Sequence, residues 1–60
     1  MEMSNVMQYA RSLFAAHGDK AEAEAAQKAV HHEQAGEADQ AATWRAIQAA
    51  IREMRGPTQG

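Results

Sequence analysis

Fifteen of the sixty residues are alanine, and only twelve apolar residues are larger. This ratio restricts the chain more than any motif it carries. Alanine favours helix strongly, yet its single methyl group buries little surface. Such a chain forms helices readily but has few side chains to hold them together. The larger residues are Met1, Met3, Val6, Met7, Tyr9, Leu13, Phe14, Val30, Trp44, Ile47, Ile51 and Met54. At this length a folded chain buries only about 60% of the surface exposed on unfolding. Cysteine is absent, so no disulfide can compensate. Self-association or a partner subunit is the remaining source of burial.

The β-branched residues are few and do not alternate, which predicts an all-α fold. Gly18, Gly36 and Gly56-Pro57 punctuate the chain and predict three short helices, at residues 5–17, 20–35 and 37–55. They are expected to form a small bundle within a single domain, 1–56, completed by oligomerisation, with residues 57–60 as a disordered tail. In the first helix, Ser4 or Asn5 is the expected cap, with Gln8 completing a capping box. Val6, Ala10, Leu13, Phe14 and His17 share one face, flanked by Met7 and Tyr9. In the second, Asp19 is the expected cap, with Glu22 at capping-box spacing. Its apolar face reads as Ala25, Ala26, Ala29 and Val30, and Glu24 and Lys28 have the favourable i,i+4 order. In the third, Trp44, Ile47, Ile51 and Met54 form the strongest stripe, bordered by Ala41 and Ala50. Glu37 and Asp39 in its first turn and Arg52 and Arg55 in its last suit the helix dipole.

The net charge is −2, and no apolar run is long enough to span a membrane. Met1-Glu2-Met3-Ser4-Asn5 lacks the basic start of a signal peptide, so a cytoplasmic location is expected. Enzymatic activity is not. There is no cysteine, no glycine-rich phosphate loop, and no serine in a Gly-x-Ser-x-Gly elbow. His31-His32-Glu33 resembles a ligand cluster, but adjacent helical residues diverge by about 100°. Glu-x-x-His and H-E-x-x-H patterns are missing. No metal, cofactor or small-molecule substrate is therefore expected. His17, in the last turn of its helix, should pack partly while a ring nitrogen bonds a terminal carbonyl. Glu33, at the end of the alanine face, either pairs with Arg11 or Arg45 or reaches solvent past the helix end.

The expected function is a protein–protein interaction module, either a homo-oligomer or an accessory subunit. Candidate contact residues are Ala42, Ala46 and Ala49, a small-residue strip opposite Trp44, together with Arg45, Arg52, Arg55, Tyr9 and Met7. The strip has an alternative reading as alanine filling exposed helical positions. The alternative function is a nucleic-acid-associated regulator using Arg45, Arg52 and Arg55, since a basic stripe on one helix can follow phosphates. Against it stand the net negative charge and the single tryptophan and tyrosine. Arginines that close a helix and pair with a neighbour's acids explain the same pattern.

Ala10/Leu13, Ala16-His17-Gly18-Asp19, Ala35-Gly36-Glu37 and Trp44/Ile47/Ala50/Ile51 follow one another between Tyr9 and Arg55. In this order the segment resembles a group of short, uncharacterised bacterial all-helical proteins. The Trp-x-x-Ile-x-x-Ala-Ile block is the most specific part. The resemblance implies the helix boundaries and no activity.

Overall fold

The computed structural model describes residues 3–56. It contains three helices: α1 (Met3–His17), α2 (Lys20–Gln34) and α3 (Ala38–Arg55). Among the described residues there is no strand. The expected tail, 57–60, lies outside them. The helices run up, down and up. Glu22 of α2 meets Arg52 and Arg55 of α3, and Glu33 meets Arg45, which makes α2 and α3 antiparallel. α2 and α3 share the most extensive contact, and α1 packs mainly on α3. The Cα radius of gyration is 11.3 Å, against about 10 Å for an average globular chain of this length. The slight excess reflects an elongated bundle of 36 × 22 × 19 Å.

Glycine ends each helix, in two different ways. Gly18, at φ 61°, donates from its amide to the Phe14 carbonyl at 2.8 Å. Gly36, at φ 78°, donates to Glu33, and the next amide, of Glu37, donates back to His32 at 2.8 Å. That pair of bonds is the Schellman arrangement, which needs a left-handed residue between helix and exit. Gly56 instead takes φ 92° and ψ 149°. It precedes Pro57, whose ring disfavours helical ψ in the residue before it.

The helix starts depart from expectation. α1 begins at Met3, so Asn5 lies inside the helix rather than capping it. Asp19 has helical φ and ψ, −62° and −21°, and makes no side-chain cap bond. A capping side chain needs an extended backbone to fold back on the first turn, and the two-residue link leaves Asp19 no such freedom. Ala21 donates instead to the Gly18 carbonyl at 3.0 Å. Glu37 is the residue preceding α3, outside its first turn, and also makes no side-chain cap bond.

The core is largely alanine. Ala10, Ala21, Ala25, Ala29, Ala41 and Ala50 are buried with Val6, Ile47 and Ile51. Ile47 and Ile51 are the largest fully buried side chains. Met7, Leu13, Phe14, Trp44, Ala46 and Met54 pack partly buried around them. The stripe of α3 thus forms the centre as expected. The face of α2 follows expectation only in part: Ala25 and Ala29 are buried and are joined by Ala21, whereas Ala26 is half-buried and Val30 is 42% exposed. These buried alanines form an i,i+4 row, along which two helix backbones approach closely. Turning α2 this way also carries Glu22 and Glu33 to the arginines of α3.

Candidate functional site

The most organised polar region is the seam between α2 and α3. Glu22 stands in the first turn of α2, Arg52 and Arg55 in the last turn of α3. The antiparallel packing brings these ends together. Arg52 Nε donates to Glu22 Oε2 at 3.0 Å, and Arg55 donates to Oε1 at 2.5 Å. The Glu22 side chain is only 14% exposed, whereas Arg52 is 73% exposed. Glu22 also lies where the helix dipole favours an anion, and the arginines where it favours cations. The Arg55 hydrogen bond holds the Glu22 carboxyl below its ordinary value, partly opposed by desolvation and reinforced by Arg52.

One α2 turn before Gly36, Glu33 receives Arg45 through both carboxylate oxygens, at 3.0 Å from the terminal guanidinium nitrogen. Both side chains stay half exposed. Of the alternatives for Glu33, the partner is Arg45, and the pair sits at the surface. Arg45, Arg52 and Arg55 therefore occupy one edge of α3, each engaged by an acid of α2.

Two histidine–carboxylate contacts span the corners. His17 Nδ1 bonds Glu24 across the first corner, and His32 Nδ1 bonds Glu37 at 2.6 Å across the second. The expectation that His17 bonds a terminal carbonyl is thus corrected. Gly18 already serves the Phe14 carbonyl, and α2 turns back closely enough to present Glu24. The expected Glu24–Lys28 pair is likewise replaced: the Lys28 ammonium lies 5.8 Å from the Trp44 ring centroid. Tyr9 packs edge-on against Trp44, with ring centroids 5.5 Å apart. Each helix thus contributes one residue to a Tyr9–Trp44–Lys28 cluster.

The remaining candidates separate. Ala42 and Ala49 are exposed, but Ala46 is half-buried and packs against the core. Met7 also packs there, and Tyr9 remains 44% exposed. Among the described residues, no three His, Asp or Glu side chains gather as a metal-binding group. An open cleft of about 740 Å³ lies where all three helices meet, lined by Phe14, Asp19, Glu22, Arg52, Glu53 and Arg55. Its acids offset its arginines. A shallower groove of about 410 Å³ runs along Ala26, Gln27, Val30, His31 and Gln34 on the outer side of α2. The sequence pattern does not reveal that groove, because Val30 reads there as part of the apolar face toward the core, whereas it is 42% exposed. The signal was present in Ala23, Ala26 and Val30, whose i,i+3,i+7 spacing marks a second apolar line.

No family model, curated protein or solved structure matches the chain. Among the described residues, no helix is long and apolar enough to cross a membrane.

Proposed function

We propose that the protein is a small helical interaction module without catalytic activity, acting as a homo-oligomer or as an accessory subunit of a protein partner. The carrying observation is the composition of the core. Six of its nine buried residues are alanine, while Val30 and Tyr9 remain exposed by 42% and 44%. Exposed large apolar residues beside a thin core favour a second chain as the source of further burial. The proposed setting is a bacterial cytoplasm, and the proposed kin are the short bacterial helical proteins that the Trp44–Ile51 block resembles.

A nucleic-acid role for Arg45, Arg52 and Arg55 draws less support, since each guanidinium already meets a carboxylate of α2. The two readings separate by experiment. The interaction reading predicts a mass above 6.5 kDa by light scattering at micromolar concentration, or capture of a defined partner from the native cell. It also predicts a melting temperature that rises with protein concentration. The other predicts salt-sensitive binding to duplex or single strands that Arg45→Ala and Arg52→Ala weaken. A concentration-independent monomer with no partner would overturn the first; no binding at low salt would overturn the second.

A further inference from the structure

We propose that Met7 and Met54 are a peroxide-responsive modification site, whose conversion to methionine sulfoxide in the folded chain releases α1 from α3. Cysteine is absent and methionine occurs four times, so a peroxide meets no thiol and the thioethers are its sulfur targets. Two of them, Met7 of α1 and Met54 of α3, are half-buried and pack against the core. That position meets both requirements of a redox-sensitive contact. A fully buried thioether is shielded from the oxidant, and a fully exposed one disturbs no packing when it becomes polar.

The seam in which these side chains lie makes α1 the element that responds. Arg45, Arg52 and Arg55 mark the side of α3 that faces α2. Ala50 lies about 160° around the helix from Arg52, yet it is only 7% exposed. α1 is the remaining helix that covers it. Ala46, Ala50 and Met54 form one i,i+4 row, so Met54 stands on the α1 side. From α1, Val6 and Ala10 are buried, and Met7, Leu13 and Phe14 pack half-buried beside them. α2 is held more firmly, by Ala21, Ala25 and Ala29 and by the ion pairs of Glu22 and Glu33. Among the described residues no ion pair joins α1 to α3.

Hydrogen peroxide alone balances the step. A lone pair on the thioether sulfur attacks one peroxide oxygen. The sulfur–oxygen bond forms as the oxygen–oxygen bond breaks, and the leaving hydroxide takes the proton of the transferred oxygen to become water. Sulfur is oxidised and the peroxide reduced by one electron pair. The sulfoxide is polar and disrupts apolar packing, and burying it without a donor opposes closure of the seam. Release of α1 returns the new oxygen to water.

The test uses the full chain, folded at neutral pH and treated with hydrogen peroxide beside free methionine. Mass spectrometry of the digested product locates the added oxygen. Met7 and Met54 should oxidise within about tenfold of the rate of the free amino acid. The melting temperature should then fall by about 8 °C or more. Amide hydrogen exchange should quicken across α1 before α2 and α3, and Trp44 emission should move to the red as Tyr9 leaves it. Methionine sulfoxide reductase should reverse all three changes. The double variant Met7→Leu/Met54→Leu retains apolar side chains of similar volume and should keep its melting temperature under the same dose. Three results would each overturn the proposal: Met7 and Met54 staying reduced while free methionine is consumed, sulfoxides that leave α1 exchange unchanged, or an equal fall in the leucine variant.

Discussion

Replacing Glu22 by Gln keeps the shape of the side chain and removes its charge. The structure allows the cost to be worked out. Glu22 accepts from Arg52 and Arg55 while its own side chain is 14% exposed. Charge-assisted bonds contribute about 1.5–3 kcal/mol when desolvated, but exposed pairs contribute only about 0.2–1 kcal/mol. Arg52 is 73% exposed and Arg55 43%, so each bond belongs near the lower range. Adding the loss of an acid from the first turn of α2, the expected destabilisation is about 1–2 kcal/mol at pH 7. For a chain this short that corresponds to a fall of about 8–16 °C in melting temperature. The assay is urea and thermal unfolding followed by circular dichroism, between pH 7 and pH 3.

The sign with pH follows from the lowered carboxyl of Glu22. Stabilisation by a lowered acid is fully present above the unfolded value, here 4.5, and is lost as pH falls through the lower folded value. The gap between the native chain and Glu22→Gln should therefore be widest at pH 7 and narrow progressively below about pH 4.5. A gap that stays constant down to pH 3 would show that packing, not charge, causes the loss. No gap at pH 7 would refute the role of Glu22 altogether.

Other substitutions probe separate parts of the fold. Ile51→Ala removes one of the two largest fully buried side chains and should cost about 2–5 kcal/mol, read as loss of cooperative unfolding or a much lower urea midpoint. Gly36→Ala places a Cβ at φ 78° where nothing lies within 4 Å; the backbone alone should cost about 1–2 kcal/mol, measured by thermal unfolding. Tyr9→Ala should cost about 0.5–1.5 kcal/mol beyond the lost area through the edge-on contact with Trp44, and it should shift Trp44 emission to the red.

The helix pattern was legible because its signals are local. Gly18 and Gly36 end helices through left-handed backbone freedom, and Gly56 does so under the restriction that a following proline places on its ψ. The Trp44–Ile47–Ile51–Met54 stripe was legible for a related reason, since no other surface of α3 offers comparable burial. The face of α2 was not. Val30 draws the apolar direction toward itself on hydrophobicity alone, but close helix packing selected Ala21, Ala25 and Ala29. Local side-chain pairings give way where a tertiary partner competes: Glu22, at capping-box spacing from Asp19, serves arginines thirty and more residues away, and Glu24 serves His17 rather than Lys28. The sequence leaves Glu33 a choice between Arg11, Arg45 and solvent, and only the antiparallel register of α2 and α3 selects Arg45.

Sedimentation equilibrium of the native chain across micromolar to millimolar concentration tests the central claim most directly. A chain with so thin a core, carrying Val30 outside it, is expected to approach a mass of about 13 kDa, twice 6.5 kDa, as concentration rises, with its melting temperature rising in step. A constant 6.5 kDa mass with a fixed melting temperature over the same range would contradict self-association as the source of the missing burial.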